Sequence, residues 1–410
     1  MNKDNINLLS DENNGVCETE ITKKFSLKGK TEPRKVYRIP LDLLFYNDKN
    51  GRISTLISKF ESVNGYSIEK LDFEEYNKTL ETYIISSNEE AFKKTKKSIA
   101  SMDQREPGVV LSDGRVIDGN RRFTCLRNLH EETGDEKYAY FEAAILDPNT
   151  SSDNKEIKRL ELELQHGQDE KVSYDPIEAL IDVYKTVEKD KLLSIKEYSL
   201  NVGRKVSEIE KDLEQAKIII DFLNYIGAND KYYIAVDLKL DAFVFEIYNL
   251  KKKINDDDDW NKAKIVLYDN MLIKPKQDAR VFAREIIKII DSEYFDSYFD
   301  KHEEYAKELD KKIKNTDNID SNYIREEIRG NDDLKQKFAE NADNYLYKVN
   351  RETVRKIPVN QIEEIAECII KIDTVAISKL AGEDKENFAT SMKTIKNKIK
   401  EFEDSLNETF

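Results

Sequence analysis

The segment Asp118-Gly119-Asn120-Arg121-Arg122 carries the residue types and spacing best suited to chemistry in this sequence. It joins an apolar strand pattern, Arg115–Ile117, to a helical pattern, Arg121–His130. Backbone N–H groups at a helix start have no intrahelical partner, and the helix dipole there favours an anion. Gly119 lets a ligand approach the backbone closely. Arg121 and Arg122 supply planar donor forks that fit phosphate oxygens. Asp118, at the strand end, is the candidate catalytic carboxylate; it could also hold Mg²⁺ or a ribose hydroxyl, or cap the loop. Asn120 and Thr124 add an amide and a hydroxyl nearby. The competing reading pairs the two arginines with local acids such as Glu131 or Glu132, and adjacent arginines point to different sides of a helix.

The elements that would position this segment are legible as patterns. Ser112-Asp113-Gly114 between Val109–Leu111 and Arg115–Ile117 predicts a hairpin. Glu89–Met102 reads as a helix with Ala91, Phe92, Thr95 and Ile99 on one face, stopped by Pro107. Val36–Ile39 reads as a short strand, followed by the apolar turn Leu41–Phe45 and the turn-rich loop Asn47–Arg52. Tyr138–Leu146 alternates as a strand. Residues 1–21 show no period and read as a flexible tail. The window Thr22–Arg38 sets Lys23, Lys24, Lys28, Lys30, Arg34, Lys35 and Arg38 against Glu32 alone. It is either a solvated basic arm or one that contacts phosphate.

After Asp147-Pro148 helical signals dominate. Asp175-Pro176-Ile177-Glu178 offers an N-cap acid, a proline at the first helical position and a glutamate at the third. Ser194–Glu197 and Ser207–Glu210 both read as capping boxes. They open helices over Ile195–Asn201 and Glu208–Leu223, and the Gly-containing link between them has helix-turn-helix spacing. Arg204 and Lys205 in that link are the candidate DNA contacts, although Glu208, Glu210, Asp212 and Glu214 make the second helix a poor groove reader. Further along, Tyr232–Val236 reads as a short strand. Asp256–Asp259 reads as a helix start, Glu303–Lys314 as a surface helix, and Asn360–Glu363 as a cap. Asn387–Leu406 reads as an amphipathic helix with Phe388, Met392, Ile395 and Ile399 on one stripe.

The bulk numbers limit the function classes. The chain has 410 residues, with 82 acidic against 67 basic side chains and a formal net charge of −15. Bulk electrostatics would not hold such a chain on DNA, so nucleic-acid contact needs local basic patches. Cys17, Cys125 and Cys368 are too scattered for a disulfide framework or a cysteine metal site. His130, His166 and His302 are isolated and form no clear metal-nuclease cluster. No apolar run approaches the ~18 residues of a membrane span. These features predict a cytoplasmic protein with free thiols and no membrane contact.

Pro107–Leu129, PGVVLSDGRVIDGNRRFTCLRNL, with Gln104 before it, resembles the core of the ParB/sulfiredoxin-like superfamily. The loop Asn47–Arg52 resembles the family's Asn/Arg-rich box after its first strand. Glu161–Gln165, then Asp175–Ala179, then the helix-turn-helix follow in the ParB order. Asp118, Gly119, Arg122, Thr124 and Leu126 also match the pattern of the GmrSD-type restriction nucleases, whose N-terminal domain is similar to ParB. Two positions depart from ParB: Asn120 stands for the Glu before the arginines, and Thr124 for a further Arg. The reactive Cys of sulfiredoxins falls where Asn120 stands.

The resemblance implies an α+β chain, with a small mixed-sheet ParB/sulfiredoxin-like domain followed by mainly α-helical domains. Expected boundaries are a tail with the start of the basic arm at 1–31, the nucleotide-binding domain at 32–150, a helix-turn-helix-like domain at 151–226 and an acidic helical domain at 227–410. It implies a nucleoside triphosphate, CTP or ATP, with or without Mg²⁺, held by Gly119, Asn120, Arg121, Arg122, Thr124 and Arg52. The function it implies is a DNA-associated nucleotide-binding protein, with slow NTP hydrolysis as a conformational switch left open. Two alternatives stand beside it: a ParB-like nuclease or nickase in anti-phage defence, and a protein-interaction scaffold with a degenerate nucleotide site. The basic arm is the candidate DNA contact. The C-terminal helices are candidates for a homodimer or partner contact.

Overall fold

The computed structural model describes residues 7–10, 15–27, 30–146, 154–166, 175–254, 256–316 and 318–407. The expected change of character at Asp147-Pro148 lies outside the described residues, as does Lys28. So do the side chains of Gln165 and His166, and most of the tail before Gly15. Two units are distinguished, Met1–Leu346 and Tyr347–Phe410.

The first unit is α+β. Six strands form one mixed sheet: β1 (Cys17–Leu27), β2 (Lys30–Pro40), β3 (Phe45–Tyr46), β4 (Gly108–Leu111), β5 (Arg115–Asp118) and β6 (Tyr140–Leu146). Their order is β1-β2-β6-β4-β5-β3. β6 pairs antiparallel with β2 and parallel with β4, while β3 runs parallel to β5. Side chains alternate across the sheet with the strand period of two. Val110, Val116, Ala143 and Ile145 face one core, shared with Leu80, Phe92, Ile99, Phe123 and Leu126. Those residues come from helices α2 (Phe73–Ser87), α3 (Glu89–Met102) and α4 (Asn120–Thr133), which follow α1 (Ser54–Asn64). Val109, Leu111, Ile117, Ala144 and Leu146 face a second core, closed by Ile157, Leu160 and Leu164. These three belong to α5 (Asn154–His166). A helix from the expected helix-turn-helix-like region therefore covers the sheet's other face.

The basic window is not a loose arm. Cys17–Leu27 is a strand, paired antiparallel with β2 through Thr22–Lys35 and Lys23–Arg34. Its polar sequence hides the strand because β1 lies at the sheet edge and buries only Phe25.

Beyond α5 come α6 (Pro176–Tyr184), a π turn at Lys185–Lys189, α7 (Ile195–Val202) and α8 (Val206–Tyr225). Asp175 caps α6 as expected, accepting from the Ile177 and Glu178 N–H groups. The Ser194–Glu197 capping box forms in full. The Ser207–Glu210 box does not: α8 already begins at Val206 with Lys205 as its cap, so Ser207 lies inside the first turn. Tyr232–Val236 is not a strand either. Tyr233–Leu238 forms α9, with Tyr233, Ile234, Ala235 and Leu238 all buried, so packing on several sides overrides strand propensity.

Next are α10 (Asp241–Lys251), α11 (Asp257–Ile273), α12 (Ala279–Ile290), α13 (Phe295–Lys314), α14 (Ser321–Tyr323) and α15 (Asp332–Ile370). Asp256 caps α11 with its side chain, the helix-start role expected of the acidic run. Asn360 is not a cap, because α15 runs through it with Pro358 inside. The i,i+4 pair Glu352–Lys356 lies in the turn before that proline. In the second unit α15 is followed by α16 (Thr374–Ser378) and α17 (Gly382–Asn407). No helix is long and apolar enough to cross a membrane, among the described residues.

Candidate anion-binding site

β5 ends at Asp118, and Gly119 turns the chain with φ +93° into α4. That left-handed conformation suits glycine. A Cβ there would stand 2.9 Å from the Phe141 ring and 3.0 Å from the Arg122 guanidinium. The first turn of α4 contains no acidic residue, and no side chain caps it. Its positive dipole end is thus joined by two arginines rather than balanced by a carboxylate.

The two arginines divide. Arg122 Nη2 donates to Asp118 Oδ2 at 3.1 Å, and Lys23 Nζ from β1 donates to the same oxygen at 3.0 Å. Asp118, the candidate catalytic carboxylate, is therefore committed to two cations and locks the strand end to the edge hairpin. Arg121 has no carboxylate partner among the described residues, and its Nε is buried without a hydrogen bond. Burial, then the adjacent Arg52 and Arg122 charges, hold its guanidinium below its ordinary range. An arginine stays charged in such a setting, so the site concentrates uncompensated positive charge. Asn120, also nearly buried, has an unpartnered Oδ1. Exchanging its amide oxygen and nitrogen would turn a donor to that spot.

Arg52 is placed from the other side. Asn50 caps the short turn Gly51–Ile53 by accepting from the Arg52 N–H at 3.1 Å. The Gly51 N–H donates to Glu161 Oε1 of α5 at 3.1 Å. Glu161 and Asp182 share Lys158, at 3.4 and 2.6 Å, and Tyr198 donates to Asp182 at 2.9 Å. One step further, Thr55 donates to Glu178 at 2.8 Å. Burial pushes the Glu178 carboxyl up to about 7, against the opposing effects of the Thr55 hydrogen bond and the Arg52 charge. A cavity of about 500 Å³ opens beside this loop, lined by Gly51, Ser54, Lys158, Glu161 and Lys185 among others.

Of the residues singled out from the sequence, Gly119, Asn120, Arg121, Arg122 and Arg52 share this region. Thr124 does not face it. It is fully buried, its hydroxyl donating to the Asn120 carbonyl at 2.9 Å and sharing a 2.9 Å hydrogen bond with Tyr46 OH. Arg204 is far less available than its position suggested, bonded to Glu208 at 3.2 Å and Asp212 at 2.7 Å. In the basic hairpin, Lys35 pairs with Glu18, and Arg34 and Arg38 lie over the Phe25 and Tyr140 rings. Lys24 and Lys30 remain exposed. Burial pushes the Cys125 thiol up to about 12, as expected of an inert core cysteine. His302 is buried against Asp269 at 2.9 Å in the helical body. Among the described residues no group of three His, Cys, Asp or Glu side chains is placed to hold a metal ion.

Two participants escaped the sequence reading. Lys23 was one cation among many in its window, and only strand pairing directs it to Asp118. Glu178 read only as the glutamate at the third position of a helix start. Neither protein-family models nor curated protein sequences match this chain.

Proposed function

We propose that this chain is a ParB-like protein that binds a nucleoside triphosphate through its phosphates at the start of α4. Arg121 is the observation that carries the reading. It is half-buried, without a carboxylate partner among the described residues, and close to two further arginines at a helix start whose first turn holds no acid. Packing like charges together costs energy unless an anion joins them. Phosphate is the anion that a helix N-terminus and planar guanidinium forks fit best.

Association with DNA is a second, separable part of the proposal, resting on Lys24 and Lys30 of the hairpin. The pairing of Arg204 with Glu208 and Asp212 favours the scaffold reading for the helical region instead.

Calorimetric titration of the full chain with CTP, ATP, GTP and ADP, with and without Mg²⁺, tests the first part. A triphosphate is expected to bind, and Arg121→Ala to weaken it about 10- to 100-fold, the worth of one to two charged hydrogen bonds. No heat from any nucleotide overturns the reading. Gel retardation of duplex DNA at low salt tests the second part, with Lys24→Ala/Lys30→Ala as the variant.

A further inference from the structure

We propose that α17 pairs with α17 of a second copy of this chain as a parallel, in-register coiled coil. The second unit buries nothing: from Tyr347 onward no described residue is buried. Most helical stability in proteins comes from packing of an amphipathic face. α17 has such a face. Phe388, Met392, Ile395, Ile399, Phe402 and Leu406 follow one another at intervals of four, three, four, three and four. That strict period of 3.5 marks a coiled-coil seam, distinct from the broader stripe of a helix packed on a globular core. Met392, Ile399, Phe402 and Leu406 are 41–66% exposed.

Charge selects the occupant. With Phe388, Ile395 and Phe402 at the d positions, Lys398 falls at g, and Lys396 and Glu403 at e. In a parallel in-register pair, each g residue meets the e residue five positions on in the partner. Lys398 of each copy then faces Glu403 of the other. Antiparallel pairing about the centre of the seam would instead oppose Lys398 with Lys398 and Lys396 with Lys396. The apolar row of α15, Ile362, Ile365 and Ile369, is shorter. Its flanks Gln361, Ala366 and Cys368 carry no charge to meet these lysines. The bond from Lys398 to Glu401 within one copy is exposed at both ends and so holds Lys398 only weakly.

Sedimentation equilibrium of the full chain at tens of micromolar is expected to give twice the 47.8 kDa of one chain. Ile395→Asp/Ile399→Asp is expected to give 47.8 kDa. A wild-type monomer, or a dimer that survives both aspartates, overturns the proposal; α17 covered by α15 or by a different protein would show as that monomer. Orientation has its own readout. Lys398→Glu and Glu403→Lys are each expected to weaken self-association about tenfold, while an equimolar mixture forms a heterodimer of wild-type strength. No recovery on mixing overturns the parallel register. With Cys17→Ser and Cys368→Ser in place, Ile395→Cys is expected to cross-link two copies under mild oxidation. Its failure to do so counts the same way.

Discussion

Two helix starts in this protein carry neighbouring basic residues, and they use them in opposite ways. Before α8, Arg204 folds back onto Glu208 and Asp212, so its charge is consumed by the helix it precedes. At α4 the first turn holds no acid, Arg121 has no carboxylate partner among the described residues, and Arg52 arrives from another loop to add to the charge. Counting cations along the sequence ranks the two alike. What separates them is the placement of acids one and two turns into the helix. Glu208 and Asp212 sit at spacings that return to Arg204, whereas Glu131 and Glu132 lie too far along α4 to reach back to Arg121.

The largest effect expected from disturbing this contrast is at Gly119. Gly119→Val forces a branched side chain into a left-handed φ and against the Phe141 ring. It should cost about 2–4 kcal/mol in chemical denaturation. Gly203, also left-handed but with open space around its Cβ position, should cost about 1 kcal/mol as Gly203→Ala.

The pH response should differ next, in sign. Glu178 has a folded-state value near 7, above the ordinary carboxylate range. Its contribution is fully present below about pH 4.5 and lost as pH rises through 7. The loss should reach about 2–3 kcal/mol by pH 8, and Glu178→Gln should abolish it. Glu197 behaves oppositely: bonds from Lys155 and Ser194 hold it down to about 2. Its contribution is present above the ordinary carboxylate value and lost only as pH falls towards 2. Denaturation midpoints of wild type and Glu178→Gln at pH 5 and pH 8, and of wild type and Glu197→Gln at about pH 5 and about pH 2.5, check both signs. An unchanged slope in Glu178→Gln would contradict the assignment.

The smallest effect should come from Arg204→Ala. Removal of this part-exposed pair should cost below about 1 kcal/mol and leave nucleotide affinity unaltered. If it lowers nucleotide affinity as much as Arg121→Ala does, the distinction between the two helix starts fails.

Much of the candidate site was legible because its signals are local. The Asp-Gly turn, the glycine after β5 and the periodicity of α3 and α4 each need only a few neighbouring residues, and all form where expected. The failures are of another kind. β1 exists because β2 pairs with it, and α9 because several neighbours bury it. Thr124 turns inward because Tyr46, distant in sequence, receives it. Lys158, Glu161 and Asp182 look like surface charges along the chain, yet they bury one another between α5 and α6. Breaking one member of such a set leaves an uncompensated charge, and only contacts between distant segments reveal that they are a set.

The bond from Lys23 to Asp118 joins positions 95 residues apart, and β2, which carries Lys23's strand, finds its other neighbour only in β6. On the ribosome the hairpin of β1 and β2 is therefore made first and docked last. Until Tyr140–Leu146 emerges it has no sheet to join. Loop-closure entropy across that interval must be met before any of these contacts forms. The start of α4 can coil early on local signals alone, but its clamp on the strand end belongs to the last stage of folding. A nascent or truncated chain lacking β6 would hold the arginines but neither the Phe141 ring beside Gly119 nor the strand that β2 joins.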